Sequence, residues 1–125
     1  MEILISSNNS RPIYEQITSQ IKEMIMNGEL KNGDPLPSVR ALARTLHISI
    51  ITVQRAYEDL QNEGYIESVV GKGTFVSVHN MDFIKEKKFK EVEEKLQEAA
   101  EMARKNGISL EKLTELLNIF YLGEE

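Results

Sequence analysis

Four cationic side chains, Arg40, Arg44, Arg55 and Lys72, stand among short polar residues and glycines in the middle of this 125-residue chain. Arg40 and Arg44 are four residues apart, the spacing that puts two side chains on one face of a helix. Ser49, Thr52 and Gln54 follow, with Ile50 and Ile51 between them. Guanidinium and ammonium groups bind phosphate. Hydroxyls and the glutamine amide hydrogen-bond phosphates or base edges, and isoleucine touches a thymine methyl. Gly71-Lys72-Gly73, followed by Thr74, puts a cation on a flexible tip. The chemistry open to this set is recognition of a duplex nucleic acid. Taken singly, each feature has a plainer reading. Arg40 and Arg44 fit any solvated helix face, Gly71-Lys72-Gly73 fits any hairpin turn, and Ile50-Ile51 could be buried. Their order and spacing together are more specific.

A catalytic reading finds little support. His47 and His79 have no partner at metal or triad spacing. Gly71-Lys72 does not complete a phosphate loop: Ile66 stands where that motif needs its first glycine, and Gly73 follows the lysine instead of Ser or Thr. Glu93 and Glu94 are adjacent and do not face each other on a helix. No cofactor and no metal are expected.

Elements to hold these residues follow in order along the chain. A polar arm, residues 1–11, precedes a helical pattern that begins at Pro12 and carries Ile13, Ile17, Ile21, Met24 and Ile25 on one stripe. Asn27-Gly28 stops it. A loop over residues 29–37 contains Gly33, Pro35 and Pro37. Ser38 is the expected cap of a second helix running to about Leu46, with Val39, Leu42, Ala43 and Leu46 inward. After His47-Ile48, Ser49 caps a third helix with Val53, Ala56, Tyr57 and Leu60 inward, ending at Gly64. The short connection between those two helices is that of a helix-turn-helix. Two β-type runs, residues 65–70 and 74–78, flank the glycine-bearing tip and read as a hairpin. The expected fold is α+β, mostly α: a winged helix-turn-helix of three helices and a β-hairpin over residues 1–79.

Residues 80–125 differ in composition. A helix rich in Glu and Lys carries Phe89, Val92, Leu96, Ala99 and Ala103 at a 3, 4, 3, 4 spacing, the seam of a helix that pairs. Asn106-Gly107 ends it, and Ser109 caps a last helix with Leu110, Leu113, Leu116, Leu117 and Phe120. Phe89, Val92, Leu96, Ala99, Ala103, Leu113, Leu116, Leu117 and Phe120 are the expected dimerisation surface. The competing expectation is that both helices pack back on the winged domain.

The net charge is −5, which by itself disfavours a nucleic-acid binder. Placement offsets this, since Glu58, Asp59, Glu63 and Glu67 fall at the far end of the third helix or beyond it. Cysteine is absent, so no disulfide framework or thiolate metal site is expected. No apolar run approaches a membrane span of about 20 residues, and residues 1–6 lack the pattern of a signal peptide. The expected location is cytoplasmic.

The stretches Pro12-Ile13-Tyr14-Glu15-Gln16-Ile17, Leu36-Pro37-Ser38-Val39-Arg40, Thr52-Val53-Gln54-Arg55-Ala56-Tyr57 and Gly71-Lys72-Gly73-Thr74-Phe75-Val76 resemble the GntR family of bacterial transcription regulators. The short tail is similar to that of its YtrA-like subfamily. The resemblance implies that Arg40 reaches DNA, often a guanine, and that Ser38 lies near a phosphate. It implies that residues 49–52 with Gln54 read the major groove, and that the tip at 71–74 enters the minor groove. Many relatives have a polar or basic residue where this chain has Ile50 and Ile51, so an arginine base contact does not carry over. The implied function is sequence-specific binding of double-stranded DNA, most simply as a homodimeric repressor on a palindromic operator. An activator, or a winged-helix protein–protein adaptor, is the alternative. A small-molecule effector stays open as a partner, although two helices alone do not enclose a cavity of several hundred Å³.

Overall fold

The structure, a computed structural model, describes residues 1–8 and 10–123. It divides into two compact units, Met1–Lys85 and Glu86–Glu125.

In the first unit three helices, α1 (Ile13–Met26), α2 (Val39–Leu46) and α3 (Ile50–Asn62), surround one core. Ile17 and Ile21 of α1 meet Val53, Ala56 and Leu60 of α3 there, all out of contact with solvent. Each of these side chains contributes about 1.5–3 kcal/mol of hydrophobic stabilisation if large. Val39 and Leu46, expected inward, are half-buried at the edge of this core.

The hairpin strands β2 (Ile66–Val69) and β3 (Gly73–Val76) pair antiparallel, Ile66 opposite Val76 and Val69 opposite Gly73. A third strand, β1 (Pro35–Leu36), pairs with the other edge of β3, giving the order β1-β3-β2. The sequence places residues 35–36 in a loop. Their strand character comes from the partner, Phe75 and Thr74, and an edge position tolerates a proline that has no N–H to donate. The hairpin connection has the expected length of three residues but is shifted by one, to Val70-Gly71-Lys72. The Lys72 N–H donates to the Val69 carbonyl at 3.0 Å, so Gly73 is already a strand residue.

Two further departures concern the ends of this unit. The arm over residues 1–11 is not free. Ile3 is buried in the core, and two glutamines of α1 bind the arm's backbone as a neighbouring strand would. Gln20 accepts from the Leu4 N–H at 2.9 Å and donates to the Leu4 carbonyl at 2.7 Å. Gln16 accepts from the Ser6 N–H at 2.9 Å and donates to the Ser6 and Arg11 carbonyls, each at 3.0 Å. At the other end, α4 (Met81–Lys105) begins inside the core: Met81 and Ile84 are buried with it. The compact unit therefore runs past residue 79, because the Glu/Lys-rich composition that marks the tail begins one helical turn before the chain leaves the core.

In the second unit the remainder of α4 and α5 (Leu110–Leu122) are joined by Asn106-Gly107-Ile108-Ser109. Gly107 takes a φ of 74° there, a conformation only glycine adopts without strain. Ser109 Oγ accepts from the Lys112 N–H at 3.0 Å and caps α5. Among the described residues of this unit only Ala103, 5% exposed, is a buried hydrophobic side chain. No helix among the described residues is long and apolar enough to cross a membrane.

Candidate nucleic-acid interface

The helix-turn-helix is set by its capping residues. Ser38 Oγ accepts from the Ala41 N–H at 3.0 Å, and Ser49 Oγ from the Thr52 N–H at 3.1 Å. Caps of this kind contribute about 1 kcal/mol each. Between them His47 ends α2 in the left-handed conformation, φ 57°. The Ile48 N–H then closes back on the Ala43 carbonyl at 3.0 Å. The turn is therefore compact, and α3 leaves it with Ile50 and Ile51 pointing into solvent. Ile51 is 78% exposed and Ile50 40%. Burial of this pair, one of the plainer readings, does not occur.

Arg40, Arg44, His47, Ile48 and Ile50 line one shallow hollow of about 370 Å³ between the face of α2 and the start of α3. The i, i+4 arginine pair and the first residue of α3 thus converge. Ser49 and Thr52 are also together, their hydroxyls 2.8 Å apart, and Ser38 is exposed at the start of α2, two residues before Arg40. Gln54 is exposed and donates to Glu58 Oε1 at 3.4 Å, a long bond at the surface. Arg55 is exposed on α3, but its guanidinium lies 3.7 Å from the centroid of the Tyr14 ring. Lys72 and Gly73 are exposed and Thr74 half-buried on the separate hairpin. Gly71 and Gly73 take φ of 75° and 118°. A Cβ at either would meet nothing within 4 Å, so backbone conformation, not space, calls for glycine at this tip.

Electrostatically the cations are available. The ion pairs among the described residues involve Lys22, Lys88, Lys90 and Lys112. None of them uses Arg40, Arg44, Arg55 or Lys72. An unpaired guanidinium at the surface keeps its hydration until an anion replaces it, the condition for phosphate binding with counterion release. Two acids beyond α3 are engaged elsewhere, Glu63 with Lys22 at 2.8 Å and Glu67 of β2 with the Val78 N–H at 3.0 Å, whereas Glu58 on α3 accepts from Gln54.

Two residues that the sequence marks only as core or motif members have polar roles. Tyr57 is buried, and its hydroxyl donates to the Pro37 carbonyl at 2.7 Å. Burial pushes that hydroxyl well above the usual tyrosine range, so it remains a donor. The bond ties α3 to the residue before Ser38 and sets the position of one helix start relative to the other. Tyr14 is the second, through its ring contact to Arg55. Neither signal is local: each joins residues at least twenty apart in the chain.

The tail residues divide. Leu96, Ala99, Leu113, Leu116, Leu117 and Phe120 line an apolar groove of about 540 Å³ along the α4–α5 hairpin. Leu110 is 79% and Phe120 75% exposed. Phe89 and Val92 lie exposed further along α4, whereas Ala103 is buried where α4 meets the turn to α5.

A family model described as bacterial regulatory proteins, gntR family, matches residues 13–76, from the start of α1 to the end of β3. The HTH-type transcriptional repressor YtrA of Bacillus subtilis (strain 168) is 42% identical over 113 residues, 90% of this chain and 87% of that protein. Among solved structures, YtrA from Sulfolobus acidocaldarius, a GntR-family transcription factor, has a TM-score of 0.58 at 37% identity, over 72% of this chain and 96% of that one. AraR(DBD) in complex with operator ORX1 has a TM-score of 0.54 at 30% identity, over 62% of this chain and 96% of that one.

Proposed function

Since the chain belongs to the GntR family of bacterial regulatory proteins, we propose that it is a repressor that binds a palindromic operator as a homodimer. It is a DNA-binding transcriptional regulator, and its function is binding, not catalysis. The observation that carries the reading of the interface is the hollow shared by Arg40, Arg44 and Ile50. It presents two unpaired guanidinium groups beside the exposed start of α3. In this reading Arg40 takes a guanine edge or a phosphate, Arg44 a phosphate, and Ser38 a phosphate at the start of α2. Ser49, Ile50, Ile51, Thr52 and Gln54 enter the major groove, the isoleucines against thymine methyls. Arg55 takes a phosphate, and Lys72, Gly73 and Thr74 meet the neighbouring minor groove.

The dimer rests on residues 80–125. Beyond Lys85, α4 and α5 bury one hydrophobic side chain among the described residues and cannot shield their own leucines and phenylalanine, whereas a second copy of the same surface does so symmetrically. The groove is accordingly allotted to the partner copy and not to a small-molecule effector. Two winged domains held together require an inverted repeat with half-sites about one helical turn apart. The place of action is the cytoplasm, where the operator is.

The test is selection of bound duplexes from a random pool. Enrichment of an inverted repeat with that spacing is expected, bound as two chains per duplex. Binding that is insensitive to salt, or no enriched repeat, would overturn the reading.

A further inference from the structure

We propose that Tyr14 is a positioning residue for DNA binding, whose ring holds the Arg55 guanidinium flat so that its N–H edge faces a backbone phosphate. The proposal rests on the DNA-binding reading above and extends the interface to α1. The geometry begins with the 3.7 Å separation between the guanidinium carbon and the ring centroid. At that distance the cation lies face-on against the ring, an arrangement favoured by the ring's negative face. A stacked guanidinium spends its faces and not its edge, since all five N–H donors lie in its plane. Among the described residues none of those donors has a protein acceptor, and no carboxylate is paired with Arg55.

Tyr14 is itself held. It is half-buried against the core at the start of α1, and its hydroxyl donates to Glu15 Oε1 at 3.3 Å. The ring is therefore a fixed platform, supported by the Ile17 and Ile21 contacts that lock α1 to α3. Arg55 lies one helical turn after Ile51 on α3, beside the segment that enters the groove. A free arginine on that turn would have to give up its rotamer freedom on meeting DNA. Here most of that freedom is already lost in the unbound protein, and the surplus appears as affinity. The contact is to phosphate, so it adds affinity without sequence preference.

The test is a double-mutant cycle on the full chain, read by fluorescence anisotropy on a short duplex of random sequence across a salt series. Tyr14→Leu is expected to weaken binding about two- to fivefold, and Tyr14→Phe, which keeps the ring, to retain most of the affinity. Arg55→Ala should lower the slope of log K against log salt by about 0.9, one phosphate contact. Tyr14→Leu added to Arg55→Ala should cost nothing more. An equal loss with and without Arg55 would reveal a merely structural tyrosine and overturn the proposal, as would wild-type binding by either single variant. Should Tyr14→Leu not fold, Arg55→Lys decides: it keeps the charge but not the plane, so a clear loss supports the proposal and none overturns it. A wild-type chain that ignores the duplex altogether would sink the DNA-binding reading itself. A wild-type chain that binds, with no coupling between the two residues, sinks only the role of Tyr14.

Discussion

The two halves of this chain treat their apolar residues in opposite ways. The unit Met1–Lys85 buries them around Ile17, Ile21, Val53 and Leu60 and leaves Arg40, Arg44, Arg55 and Lys72 at the surface without ion-pair partners. In the second unit, α4 beyond Lys85 and α5 leave Leu96, Leu110, Leu117 and Phe120 exposed. The first is complete as a fold and incomplete in charge. The second carries many surface Glu and Lys residues and is incomplete as a core. Each deficiency names its remedy: an anion for the one, an apolar surface for the other. An acidic protein can thus present cations to an anion, because Arg40, Arg44, Arg55 and Lys72 are exposed and have no ion-pair partner.

The two units meet in α4, and the largest expected effect lies there. A chain cut after His79 loses Met81 and Ile84 from the core, whereas one cut after Lys85 keeps them. The shorter one should be less stable by about 3–6 kcal/mol, measured by urea denaturation; equal stability would mean that the first turn of α4 adds nothing to the winged domain. Within that domain, Leu60→Ala should cost about 2–5 kcal/mol and leave the self-association of any folded protein unchanged in sedimentation. In the tail, Leu117→Glu with Phe120→Glu should convert the proposed dimer to monomer, raising the dissociation constant at least about a hundredfold, with the winged domain's melting transition unmoved. A dimer that persists would place self-association elsewhere. Arg40→Ala should weaken specific binding by about 1–3 kcal/mol in a titration on the selected operator, more than on random duplex. The smallest effect belongs to Lys72→Ala, which should weaken operator and random duplex alike and lower the salt slope by about 0.9.

Much of this architecture could be read from local chemistry. Ser38, Ser49 and Ser109 mark helix starts because each serine needs only the N–H three residues later to act as a cap. Gly71 and Gly73 mark the hairpin because positive φ favours glycine there. The features that escaped are long-range. Residues 35–36 become a strand only beside Phe75 and Thr74. Gln16 and Gln20 look like solvated positions on a helix until the backbone of residues 4–6 is laid against them. Of the site, Arg40, Arg44 and the start of α3 were legible through spacing. The supports beneath them, Tyr57 on the Pro37 carbonyl and Tyr14 under Arg55, were not, since periodicity says which face a tyrosine is on and nothing about the partner of its hydroxyl or ring.

The strapping of the first residues onto α1 bears on how the protein is handled. Ile3 plugs the domain's interior, and Gln16 and Gln20 clasp the main chain on the way to it. An affinity handle joined ahead of Met1 without a spacer therefore tugs on a structural plug, and trimming it back into residue 3 or 4 leaves a void and a pair of glutamine amides with nothing to grasp. Purification schemes that attach at the opposite terminus avoid this strain, although they crowd the helix whose leucines await a companion.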